Sequence, residues 1–264
     1  MKHSVLGVLV DATDYDAAAA AVLDAARESR PFALTALAVH GVMTGVQDPA
    51  HGARLNSFDL VTPDGQPVRW ALNSLYRAAL ADRVYGPTLT LRVLAGAAAE
   101  GLPIYLYGST DATLDRLVPR LQEMFPALKF AGREPSKFRT ARPGELTEIA
   151  ERIKASGARI LLVGLGCPRQ EVFAHAVRPL LPMPVLAVGA AFDYHAGQLR
   201  TPPAWMQRRG LEWLWRLGLE PGRLWRRYLL LNPAYLARLG AQKTGLWKAL
   251  PPEPARDPAE TVPV

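Results

Sequence analysis

One cysteine, Cys167, stands in a chain of 264 residues, which excludes an internal disulfide and leaves no cysteine and histidine cluster with metal-ligand spacing. Nor does any apolar run reach the roughly 18 to 20 residues of a membrane-spanning helix. Val5 to Val10 is too short, and too soon followed by Asp11, to serve as a secretory signal, so a reduced, cytoplasmic chain is expected. Disorder and collagen-like repeats are equally excluded, because 49% of the residues are hydrophobic and only 21% charged, the balance of a folded globular chain. The length is generous for one domain and short for two, which predicts a single large domain with an appendage.

The net charge of +7 is unevenly placed. Between Arg200 and Lys248 ten basic residues face two acids, Glu212 and Glu220, so this segment carries a net +8 and the remainder is close to neutral. The same segment holds five of the six tryptophans. A basic, Trp-rich module on a near-neutral body points to a polyanionic partner, either nucleic acid or a membrane surface.

Short apolar runs alternate with helical patterns. Strands are predicted at Ser4–Val10, Phe32–Ala38, Phe58–Thr62, Pro103–Tyr107, Leu128–Ala131, Arg159–Val163 and Val185–Val188. Helices are predicted at Asp16–Arg27, Gln66–Arg77, Pro87–Glu100, Asp111–Met124, Gly144–Ala155 and Pro168–Leu180. This alternation implies crossover connections and an α/β fold, Rossmann-like, with a mostly parallel sheet flanked by helices and its ligand crevice beyond the carboxyl ends of the strands. The chain divides into a catalytic α/β domain over 1–200, a basic helical appendage over 201–248, and a proline-rich stretch over 249–264 that reads as a disordered tail. Trp205 and Trp213 are the tryptophans expected to close the core of the sheet domain.

Candidate ligand residues sit just after strands. The run Gly164-Leu165-Gly166-Cys167-Pro168-Arg169-Gln170-Glu171 is a glycine turn with proline suited to the first helical position, a backbone able to approach a phosphate. Arg169 stands where a dinucleotide fingerprint wants its third glycine, and a plain strand-to-helix turn fits the pattern as well; the polar Gln170 and Glu171 favour a ligand. Ser109 and Thr110 read first as a helix cap. Asp64, in Pro63-Asp64-Gly65, is ordinary turn chemistry, yet it occupies the strand-end position of a general base. Thr35 and His40 lie near the end of an earlier strand, and Asp193 follows the last. Asp14-Tyr15-Asp16 has the D-x-D form that holds a metal in many nucleotide-sugar enzymes, but before an alanine-rich helix it reads as a cap.

Together the Pro-Asp-Gly at 63–65, the glycine turn at 164–171, Val-Gly-Ala-Ala-Phe-Asp-Tyr-His-Ala-Gly at 188–197, the run Arg-Thr-Pro-Pro-Ala-Trp-Met-Gln-Arg-Arg-Gly-Leu-Glu-Trp-Leu-Trp-Arg-Leu at 200–217 and Glu-Pro-x-Arg-Leu-x-x-Arg-Tyr at 220–228 resemble the WecG/TagA/CpsF glycosyltransferases, glycosyltransferase family 26, from Val5 to Tyr228. The resemblance implies an inverting transferase that moves a sugar from a UDP-sugar to a sugar on a polyprenyl diphosphate, in the making of a cell-surface polysaccharide, at the inner face of the plasma membrane. It places the base at Asp64. It puts Gln170 and Glu171 near the donor, and Arg208, Arg216, Arg223, Arg226 and Arg227 at the lipid diphosphate and an anionic membrane; Gly164, Gly166, Arg169 and Asp193 are substrate-binding candidates from their places after strands. Where the family's first strand commonly ends Thr-Pro-Asn, this chain has Thr35-Ala36-Leu37, leaving His40 as a substitute for the absent amide and the sugar unspecified. No cofactor, metal or nucleic acid is implied, and a homo-oligomer is left open. The residues by themselves also admit a nicotinamide-dependent oxidoreductase or a noncatalytic nucleic-acid-binding protein.

Overall fold

Leu6 and Gly7 both take positive φ, 54° and 91°, the backbone that a two-residue hairpin turn needs. The first apolar run therefore folds back on itself, β1 (Lys2–Val5) pairing antiparallel with β2 (Val8–Asp11). The single strand expected over Ser4–Val10 is thus a hairpin, and it stands outside the main sheet. It is tied to that sheet by Asp11, whose carboxylate accepts the Val61 N–H at 3.0 Å. The computed structural model describes residues 1–247 and 262–264, with Ala204, Arg223, Arg226 and Arg227 described by backbone alone.

The main sheet holds β3 (Phe32–Leu37), β4 (Leu60–Pro63), β5 (Ile104–Gly108), β6 (Phe130–Glu134), β7 (Ile160–Gly164) and β8 (Pro184–Ala187). Their spatial order is β4-β3-β8-β7-β5-β6, and every pairing is parallel. Consecutive residues of β5 and β8 are buried, not alternate ones, as expected of a sheet covered on both faces. One face packs α2 (Val39–Gln47), α3 (Pro49–Asn56), α4 (Gln66–Tyr76), α7 (Glu145–Ala155) and α8 (Arg169–Val177), through side chains such as Val42, Leu55, Leu72, Ile149 and Phe173. The other packs α1 (Tyr15–Arg27), α5 (Gly86–Glu100), α6 (Asp111–Met124) and α9 (Ala190–His195), through Val22, Val93, Leu117 and Phe192. The Asp14 carboxylate caps α1 by accepting the Ala17 N–H at 2.8 Å, so the D-x-D acids serve the helix end.

The helix after β5 lies on one face and the helix after β7 on the other. Connections that diverge from neighbouring strands open a crevice beyond the strand tips. Two glycines allow the strands to meet there: a Cβ on Gly108, whose φ is +106°, would lie 2.8 Å from the Gly164 backbone.

The basic, Trp-rich segment forms α10 (Ala204–Arg208), α11 (Glu212–Leu219) and α12 (Pro221–Lys243), and it touches the α/β domain at several points. Tyr235 of α12 is 1% exposed and donates its hydroxyl to the Pro67 carbonyl at 3.1 Å. The Gln242 amide grips the hairpin, accepting from Leu6 N–H at 2.9 Å and donating to Ser4 O at 2.8 Å. Trp205, expected in the core, is 49% exposed, while Trp247 packs on the core and Trp213 lines a pocket. Of the stretch expected as a disordered tail, 249–261 lies outside the described residues. At 262–264 the chain is held: Val262 and Val264 are buried, with Ala141 N–H donating to Val262 O at 2.7 Å and Lys137 N–H to Val264 O at 3.1 Å.

Candidate active site

Strand β4 runs in register with β3, Thr62 beside Ala36 and Pro63 beside Leu37. The ladder ends in the Pro63-Asp64-Gly65 turn, where Asp64 N–H still donates to Leu37 O at 3.0 Å. Gly65 then opens α4. Asp64 is thereby fixed at a strand tip, facing a pocket of about 540 Å³, a size suited to a small-molecule ligand. Its Oδ1 accepts the Gly86 N–H at 2.9 Å, at the first turn of α5, where a helix terminus favours negative charge. Burial nevertheless dominates and pushes the carboxyl up to about 6, against the pull of the Arg83 charge and the Gly86 amide. A carboxyl in that range can hold or release a proton near neutrality.

Across the pocket lies the β7–α8 turn. Gly164, Gly166 and Cys167 line it, with Gly166 at φ +76°. Gln170, 5% exposed, donates both amide hydrogens inward, to Glu171 Oε1 at 2.9 Å and to Ala187 O at 3.2 Å. Its carbonyl oxygen, without a hydrogen-bond partner in the protein, lies against Gly189 at the pocket wall. A Cβ at Gly189, whose φ is +32°, would come within 2.3 Å of that oxygen and displace the Gln170 amide. Thr35 and Glu171, both at 0% exposure, lie behind this wall and not on it. Thr35 donates its hydroxyl to Glu171 Oε1 at 3.0 Å, and burial raises the Glu171 carboxyl despite the hydrogen bonds from Gln170 and Thr35. The pair orients Gln170.

The pocket therefore brings together Asp64, His40, Gly164, Gly166, Gln170, Asp193 and Arg216 from the residues singled out in the sequence. Arg169 stands beside it, near Ser136 Oγ at 3.4 Å and over the Phe138 ring at 5.6 Å. Arg208 is exposed on α10. Arg223, Arg226 and Arg227 lie on the first turns of α12.

Two lining residues were not singled out as site residues in the sequence: Trp213 of α11 and Tyr228 of α12, which line the pocket together with Asp64 and Arg216. Arg83, between α4 and α5, is 6% exposed and grips Glu212 with a bidentate ion pair, Nη1 at 2.6 Å from Oε2 and Nη2 against Oε1. The Arg83 guanidinium also lies 4.3 Å from the Tyr85 ring centre. The signal for Glu212 was its isolation, as one of two acids in the basic segment; nothing local marks Arg83.

The chain matches the Glycosyl transferase WecG/TagA/CpsF family over residues 3–249. Over 192 residues it is 32% identical to the N-acetylglucosaminyldiphosphoundecaprenol N-acetyl-beta-D-mannosaminyltransferase of Bacillus spizizenii (strain W23), covering 72% of each chain. A protein of the same description from Bacillus subtilis (strain 168) is 30% identical over 204 residues, covering 77% of this chain and 76% of that one.

Proposed function

The chain belongs to the WecG/TagA/CpsF family of glycosyltransferases, and on that premise we propose that it transfers an N-acetylmannosaminyl group from UDP to N-acetylglucosamine carried on polyprenyl diphosphate. Glycosyl transfer, rather than hydride transfer, is the chemistry of the family. The acceptor and the transferred sugar follow the names of the two relatives, and inversion and the UDP leaving group follow the sequence resemblance. The observation that carries the mechanism is the position of Asp64, on the pocket wall, at a strand tip, with its carboxyl raised by burial to about 6.

Inversion takes one displacement. The acceptor hydroxyl oxygen bonds to the anomeric carbon while the bond from that carbon to the UDP oxygen breaks on the opposite face, and the hydroxyl proton passes to Asp64. Such proton transfer contributes about 10²- to 10⁴-fold in rate. The leaving diphosphate gains charge, which the amides of the Gly164–Gly166 turn and the Arg216 guanidinium, all lining the pocket, would meet. Gln170 offers only an acceptor, so it takes an N–H or O–H of the donor.

A lipid-linked acceptor calls for contact with a membrane. Among the described residues no helix is long and apolar enough to cross one. Instead α11 and α12 expose Leu219, Trp225, Leu229, Leu230 and Leu236 within the basic segment. Tryptophan and leucine favour the headgroup boundary, and each Arg or Lys near an anionic leaflet contributes about 1 kcal/mol. Reversible docking on the inner face of the plasma membrane would bring the pocket to the acceptor diphosphate.

The test is product analysis. Incubation with UDP-N-acetylmannosamine and a synthetic N-acetylglucosaminyl-diphosphate lipid is expected to give a disaccharide lipid with a β linkage by NMR. An α-linked product, or hydrolysis of the donor with no disaccharide, would overturn the proposal.

A further inference from the structure

Asp64 is surrounded by charge from several elements. Arg83 and Tyr85 come from the segment before α5, Glu212 and Arg216 from α11, and Tyr194 from α9; His40 of α2 lines the same pocket. Of these, Arg83 and Glu212 are locked together. Their bidentate pair is largely buried, with side-chain exposures of 6% and 14%, and it joins the sheet domain to the first turn of α11. Four residues further along that helix, Arg216 faces the pocket. A planar guanidinium gripping both carboxylate oxygens fixes orientation as well as distance, so the pair sets where α11 sits.

The pair also sets the electrostatics. Arg83 attracts negative charge on Asp64, and Glu212 opposes it. While Glu212 holds Arg83, it offsets part of the pull of Arg83 on the partly buried Asp64. An uncompensated Arg83 would keep Asp64 ionised but weakly basic; an uncompensated Glu212 would keep it protonated.

We propose that Arg83 and Glu212 are positioning residues that tune Asp64 as a proton acceptor through the same contact that seats α11 and its Arg216 at the pocket. This rests on the reading of Asp64 as the base. The pair thereby makes base strength depend on the segment that meets the acceptor, so proton removal is effective only with α11 in place.

Because the two residues act on Asp64 with opposite sign, their neutral variants must diverge. In the full-length chain, the acidic limb of the kcat profile is expected to move to lower pH in Glu212→Gln and to higher pH in Arg83→Met, each by about one unit, with a reduced plateau in Glu212→Gln. The charge-exchanged double variant, Arg83→Glu with Glu212→Arg, is expected to return the limb towards its original position. Carbon-13 NMR titration of the Asp64 carboxyl in the same variants reads the effect without turnover. Limbs and titrations that stay fixed, or that shift the same way in both single variants, would overturn the proposal. If Asp64→Asn keeps full turnover while the carboxyl titrations still diverge, the base assignment fails and the electrostatic coupling stands.

Discussion

At the scale of single residues, a carboxyl raised to about 6 has a thermodynamic consequence. The folded chain binds the Asp64 proton more tightly than the unfolded chain, whose Asp titrates near 3.9. Stability from this group is therefore complete below the unfolded value and is lost as pH rises through about 6. The rise to about 6 corresponds to about 3 kcal/mol at neutrality. Asp64→Asn, which removes the buried charge, is expected to raise the melting temperature by several degrees at pH 7.5 and by progressively less towards pH 4. Equal melting temperatures for the two chains across that range would contradict the burial of the charge. The strand-tip place of Asp64 was legible because Pro-Asp-Gly follows a strand, whereas that turn alone reads as ordinary turn chemistry and the role of base came from the family resemblance. Thr35 and Glu171 were legible only as polar residues near the crevice; that both lie at 0% exposure behind the wall depends on the packing of β3 against α8, which no local pattern reports. Arg83 and Glu212 stand 129 positions apart, and a contact at that separation leaves no periodic trace.

At the scale of elements, the alternation of strands and helices was readable because parallel strands buried on both faces are short continuous apolar runs. The hairpin was not, since Leu6-Gly7 lacks the Asn-Gly or Asp-Gly usually found in such turns. Helices α2, α3 and α9 escaped notice because each is nine residues or fewer, too short for a helical period to stand out. A Cβ on Gly164 would lie 2.6 Å from the buried Phe192 ring, so Gly164→Ala is expected to cost about 1–3 kcal/mol in urea unfolding and to weaken UDP binding in calorimetry; unchanged stability and affinity would show that the crevice tolerates a side chain. Tyr235→Ala is expected to cost roughly 3–5 kcal/mol and to expose α12 to limited proteolysis, whereas Tyr235→Phe loses only the Pro67 hydrogen bond, about 1 kcal/mol. A stable, protease-resistant Tyr235→Ala variant would mean that α12 is not anchored there.

At the scale of the whole molecule, the charge asymmetry read from composition falls on a segment that also lines the pocket. The basic segment supplies Trp213 and Arg216 to the pocket and still exposes Leu229, Leu230 and Leu236. Replacing these three exposed leucines with serine is expected to weaken binding to anionic vesicles at least about tenfold while leaving the melting temperature nearly unchanged. Undiminished sedimentation with vesicles would place the membrane contact elsewhere. Asp64 is proposed to remove the acceptor proton in a pocket that binds the donor independently of it. The most direct measurement compares kcat and UDP affinity for the native chain and Asp64→Asn at pH 7.5: a fall of about 10²- to 10⁴-fold in kcat with unaltered UDP binding is predicted, and near-native turnover in the folded variant would contradict it.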